Sequence, residues 1–152
     1  MEQLVFMKSI KIIVLFLFIG IASYLIFFKK EATIANRWYT KTQVLNGQEI
    51  FAKNCAVCHG EKAEKTILWK KTLPDGSYPP PPLNGDAHAW HHPYEQLMSI
   101  ITNGGKQYDG KMPAFGDNLT KKEKEAAISY FQSFWTDEIY NLWIKHDGLK
   151  NK

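Results

Sequence analysis

The chain has 152 residues, 45% of them hydrophobic, with 19 Lys/Arg against 15 Asp/Glu and a formal net charge of +4. Residues 1–30 hold four of those basic residues and one acidic residue, which leaves 15 against 14 and gives no support for nucleic-acid binding. The remaining length is enough for one small domain of about 110 residues plus a short tether.

The first predicted element is apolar. From Ile12 to Phe28 the stretch "IIVLFLFIGIASYLIFF" carries no charge, with Lys8 and Lys11 before it and Lys29 and Lys30 after it. As a helix it covers roughly 25 Å, near the lower limit for crossing a bilayer core. Residues 1–30 are therefore expected to be a membrane anchor whose flanking lysines fix topology. The alternative is a signal peptide cut near Thr33-Ile34-Ala35, although a signal's apolar region is usually shorter, about 7–15 residues. A buried core helix is disfavoured because the run is apolar on every face. Residues 31–42 read as a linker and 43–152 as the folded domain.

Helical patterns dominate that domain, and no period-2 strand emerges, so the fold class is all-α. A first helix is predicted from about Gln43 to Asn54, with Val44, Ile50 and Phe51 among its apolar positions. Glu61 to Tyr78 reads as a long loop with a "PDG" turn, followed by the stiff run Pro79-Pro80-Pro81-Pro82. A second helix, "PYEQLMSIITN", opens on Pro93 in its first turn and stops at Gly104-Gly105. Thr120 and Glu123 form a capping pattern for a third helix, "KKEKEAAISYFQSFW". A short last helix begins at Thr136 and carries Ile139, Leu142 and Trp143. Several short helices joined by long loops bury little apolar area, so the design needs something else inside it.

Both cysteines of the chain fall in "KNCAVCHG", where Cys55 and Cys58 are followed at once by His59. At a spacing of three on a helical turn, both thiols project to one side and can each form a thioether to a porphyrin vinyl group. His59 then presents its imidazole to iron, and C-x-x-C-H is a haem attachment signature. Three rivals use the same residues. A thioredoxin-like dithiol needs a βαβ scaffold, for which no strands are found. Zinc would take Cys55, Cys58 and two of His88, His91 and His92 at an unusually long spacing. The third is a pair of ordinary buried cysteines.

A haem iron in an electron carrier takes a second axial ligand, and a methionine thioether raises its reduction potential. Met1 and Met7 precede the apolar segment, and Met98 lies mid-helix at a core-packing position. Met112 sits in "DGKMPAFG", where Pro113 keeps it out of a helix. It is the expected distal ligand, with one of His88, His91 or His92 as the alternative. In "DAHAWHHP" those histidines and Trp90 invite a copper or zinc reading. The preferred reading is that His88, Trp90 and His91 hydrogen-bond haem propionates or cap the next helix. A buried Trp90 N–H needs an acceptor, and a propionate supplies one. Trp69, Trp135 and Trp143 read as core aromatics and His146 as solvated. Lys106, Lys111, Lys121 and Lys122 are candidates for a basic ring that steers an acidic partner.

With "NGQEIFAKNCAVCHG", "PPPPLNG", "KMPAFGDNLTKKE" and "AAISYFQSF" in hand, residues 42–143 resemble the class I c-type cytochromes. More narrowly, they are similar to bacterial membrane-anchored or periplasmic monohaem members. The resemblance implies a cytochrome c fold of short helices around one covalent haem c. It implies a crossing of Gly47 and Phe51 on the first helix with Tyr130 on the last. It also implies a proline carbonyl in a P-x-L stretch, here Pro81 with Leu83, accepting the Nδ1–H of His59. The loop from Glu61 to Tyr78 is longer than the family usually has. The expected function is single-electron transfer on the outer face of the cytoplasmic membrane, with an oxidase, dehydrogenase or reductase as partner and no catalysis on the haem. The alternatives are a subunit through which electrons enter a larger oxidoreductase, and a copper-handling protein built on residues 88–92.

Overall fold

The computed structural model describes residues 14–21, 23, 24, 34–150 and 152. They fall into two units, one within Met1–Ala32 and one within Thr33–Lys152. In the first, residues 14–21, 23 and 24 are helical with exposed side chains. The predicted span Ile12–Phe28 lies partly outside the described residues, and among those described no helix is long and apolar enough to cross a membrane.

The second unit contains α1 (Lys41–Asn54), α2 (Ala56–His59), α3 (Tyr94–Asn103), α4 (Lys121–Gln132) and α5 (Asp137–Lys145). Single 3₁₀ turns lie at Ala89–His91 and Lys106–Tyr108. The described residues contain no strand, and Tyr78 and Gly110 meet in an isolated parallel bridge.

Helix boundaries follow local chemistry. Helix α1 starts two residues before Gln43, because Thr40 caps it. Thr40 Oγ1 accepts from the Gln43 N–H at 3.1 Å, and Gln43 Oε1 accepts from the Thr40 N–H at 2.9 Å. The reciprocal bonds satisfy two donors that a helix start otherwise leaves open. Thr120 and Glu123 do the same for α4. Pro93 stands just outside α3 as its cap residue. Having no N–H and no capping side chain, it leaves the first donor of α3, Tyr94 N–H, to the Gly148 carbonyl at 2.8 Å. Helix α4 ends at Gln132, short of the predicted Trp135. Ser133 Oγ bonds back to the Tyr130 carbonyl at 2.6 Å and the chain turns there.

Two features organise the core. Helices α1 and α4 cross at Gly47, where an added Cβ would lie 2.0 Å from the Ala126 carbonyl oxygen. Only a glycine permits that approach. One turn on, the Phe51 and Tyr130 rings pack 5.2 Å apart, and Tyr130 donates its hydroxyl to the Glu61 carbonyl. The second feature is an aromatic cluster of Trp38, Tyr39, Tyr94, Trp135, Tyr140 and Trp143 around α5. Residues 37–40, which the sequence presents as linker, are packed into it. Arg37 lies 4.1 Å over the Tyr140 ring and pairs with Asp137 at 2.6 Å, and Tyr39 is 1% exposed. Trp135 and Trp143 are buried as expected. Trp69 is different: it is half-buried on the long loop, stacked on His88.

Candidate haem site

Helix α1 delivers the cysteine motif. Cys55 closes α1 with its N–H on the Phe51 carbonyl, and α2 is one turn that begins at Ala56 and ends at His59. Both thiols are free; Cys55 is half-buried and Cys58 exposed. Burial, and then the neighbouring Cys58, push the Cys55 thiol up to about 11. The thioredoxin-like rival needs a βαβ scaffold, and the described residues contain no strand.

His59 is 8% exposed, and its Nδ1 lies 3.0 Å from the Pro81 carbonyl oxygen. A carbonyl only accepts, so the proton sits on Nδ1 and Nε2 keeps its lone pair. Burial holds His59 below the ordinary histidine range, with the Pro81 bond pulling the other way, and the neutral ring is the form that ligates a metal. Among the four prolines the structure selects Pro81. The strand of chain that carries it is fixed from both sides. Leu83 N–H donates to the Ala63 carbonyl at 2.7 Å, and the Leu83 carbonyl accepts from Trp135 Nε1 at 2.7 Å. Ala63 has no exposed surface, and no sequence signal had pointed to it.

Met112 is half-buried in the loop between the second 3₁₀ turn and α4. That loop is tied to the end of α3. Gly105 N–H donates to the Met112 carbonyl at 2.9 Å, while Phe115 and Gly116 N–H groups donate to the Ile101 and Thr102 carbonyls. The last two bonds satisfy carbonyls that a helix end leaves open. Gly104, at φ +80°, lets the two backbones touch: an added Cβ would lie 2.7 Å from the Met112 oxygen.

The histidine stretch does not converge. His88 stacks on Trp69 at 4.5 Å, His91 stacks on Trp90 at 3.7 Å, and His88 and His92 meet edge to face. Among the described residues no three His, Cys, Asp or Glu side chains group as an ion site. The zinc and copper readings therefore find no ligand set here. His88 Nδ1 is buried without a protein partner. Trp90 is half-buried, and His146 is exposed at the edge of the Trp90–His91 stack. Of the proposed basic ring, Lys106, Lys121 and Lys122 are exposed, while Lys111 is paired with Asp75.

These residues fit a covalent haem. Two unpaired thiols stand beside a histidine with a fixed tautomer, and an orphaned buried nitrogen awaits an acceptor. The chain matches the family described as cytochrome c oxidase, cbb3-type, subunit III over residues 42–131. It is 29% identical over 109 residues to the cbb3-type cytochrome c oxidase subunit FixP of Sinorhizobium medicae, covering 68% of this chain and 34% of that protein. It is 32% identical over 94 residues to cytochrome c6 of Diacronema lutheri, covering 59% of this chain and 94% of that protein. With FixP of Azorhizobium caulinodans the identity is 38% over 85 residues, 25% of that protein. The chain thus spans about a third or less of the FixP proteins and nearly all of the cytochrome c6. No solved structure matches it.

Proposed function

We propose that this chain, which belongs to the class I c-type cytochromes in the family of cbb3-type oxidase subunit III, is a membrane-anchored carrier of single electrons. Its cofactor is haem c, and its work is electron transfer rather than catalysis. Bound haem supplies an iron that exchanges one electron between ferrous and ferric states. In the proposed site Cys55 and Cys58 would form the thioethers and His59 would hold the iron, aimed by Pro81 and by the packing of Leu83. Met112 would be the second protein ligand, and the orphaned His88 Nδ1 and the Trp90 indole would hydrogen-bond the propionates. With His59 and Met112 both holding the iron, the chain's task would be to keep these two side chains still through both oxidation states.

The observation that carries the reading is the buried His59 with Nδ1 committed to the Pro81 carbonyl. An imidazole so fixed presents the Nε2 lone pair in one orientation, as metal-binding histidines do. The uncharged run Ile12–Phe28 supports an anchor, and because haem is attached covalently outside the cytoplasm, the domain belongs on the extracytoplasmic side. A second reading, a subunit through which electrons enter an oxidase, is favoured by the relatives named as cbb3-type oxidase subunits. Recovery of the chain with a fixed oxidase partner, rather than alone, distinguishes the two.

Visible spectra of the oxidised and reduced protein test the site. The wild type is expected to show the weak far-red sulfur-to-iron band when oxidised, and Met112→Ala to lose it and bind carbon monoxide when reduced. Pigment that passes wholly into acidified organic solvent would end the covalent assignment.

A further inference from the structure

The long loop between the haem motif and the prolines has contacts that the electron-carrier reading does not use. Its root is held by the Lys65 N–H on the His59 carbonyl at 2.9 Å. Its middle is held by the Trp69 stack on His88, with ring planes 20° apart. Near its end a tight turn forms, with Gly76 N–H on the Leu73 carbonyl and Leu73 N–H on the Ser77 carbonyl. Within that turn Asp75 Oδ1 accepts from both the Ser77 N–H, at 3.1 Å, and the Ser77 hydroxyl, at 2.6 Å. Those bonds orient the carboxylate, and its other oxygen receives the Lys111 ammonium. One residue after Ser77, Tyr78 bridges to Gly110. Both anchors on the far side, Gly110 and Lys111, immediately precede Met112.

The stretch they grip lies at the surface. Lys106, Gln107, Tyr108 and Asp109 are exposed, and Asp109 adopts a left-handed φ of 55°. Behind them the Gly105, Tyr108 and Gly110 N–H bonds tie the backbone near the end of α3, and beyond Met112 the Phe115 and Gly116 N–H bonds do the same. We infer that residues 72–78 form a strap that holds the Met112 loop against α3, with Asp75 as its positioning residue, so that the thioether resists displacement. The inference rests on the reading of Met112 as distal ligand. The strap acts through the backbone of the loop and touches no reacting atom.

The test titrates the ferric holoprotein with imidazole, which binds only when Met112 has left, and follows loss of the far-red band. Asp75→Ala, Lys111→Ala and the double variant form a cycle, with Lys150→Ala as a control that removes the exposed Asp147–Lys150 pair. Each single variant is expected to tighten apparent imidazole binding about two- to fivefold, the range an exposed ion pair supports. The double variant should bind no more tightly than either single one, and about 1 M salt should bring the wild type towards them. Lys150→Ala should match the wild type. A wild-type affinity in Asp75→Ala, independent effects that multiply in the double variant, or the same rise in Lys150→Ala would each remove the strap while leaving the ligand assignment intact. A wild type without the far-red band, indistinguishable from Met112→Ala, would instead show that the ligand assignment had failed and taken the strap with it.

Discussion

A histidine offers one ring nitrogen to a ligand reliably only when the other is committed as a donor. His59 meets that condition through Pro81, and Pro81 is held because Leu83 is gripped by Ala63 on one side and Trp135 on the other. The motif Cys55-Ala56-Val57-Cys58-His59 was legible at once, since covalent chemistry fixes its spacing. The grip on Leu83 was not, because Ala63 and Trp135 contribute a carbonyl and an indole N–H that any alanine or tryptophan possesses. On the distal side, Gly104 is the residue whose change reads out most directly. Its φ of +80° and its contact with the Met112 carbonyl both exclude a side chain. Gly104→Ala is expected to cost about 1–3 kcal/mol, measured by denaturant unfolding, and to weaken the far-red band of the oxidised protein.

At the scale of elements, the caps and the α1–α4 crossing decide the outcome. Helix α4 was predictable because Thr120 and Glu123 announce its start. The same logic applied to Thr40 and Gln43 gives the true start of α1, a signal present in the sequence and passed over. The crossing is the more demanding contact. Gly47→Ala places a methyl against the Ala126 carbonyl, and helix α1 has to move away from α4. A loss of about 2–4 kcal/mol in unfolding free energy is expected, or failure to retain haem, since α1 also delivers Cys55. A stability within 0.5 kcal/mol of wild type, on the order of an ordinary surface change, would mean that the crossing is looser than its geometry implies.

For the whole molecule, stability should depend on pH through its half-buried histidines. Burial, then His92, His91 and Lys70, hold His88 below the ordinary range; burial also lowers His92, against the opposing bond from Gln96. His59, the ligand in the proposed site, is left out of this balance, because iron rather than a proton would occupy its Nε2. Above the ordinary histidine value of about 6.5 both states are neutral and nothing is lost. As pH falls through that value the unfolded chain takes protons that the folded one refuses, so stability drops until the folded-state values are reached. Denaturant midpoints should be level between pH 8 and 7 and fall between about 6.5 and 5, and His92→Gln, which leaves His88 in place as the proposed propionate partner, should flatten part of that fall. Asp75 and Glu123, held below the usual carboxylate range by Lys111 and Thr120 respectively, act in the opposite window. Their stabilisation is present above about pH 4 and is lost only below it.

The sequence by itself determined the all-α class, the haem motif, the methionine loop and most helix ends. Each of these is written within a few residues, where covalent spacing, capping and proline geometry act. Tertiary structure alone decided which proline carbonyl meets His59, that residues 37–40 belong to the core, and that Trp69 leaves the core for His88. It also joined Asp75 to Lys111, 36 positions apart, and Trp135 to Leu83, 52 apart. Such pairs are set by where the whole chain comes to lie, and nothing in the neighbourhood of either residue records the other.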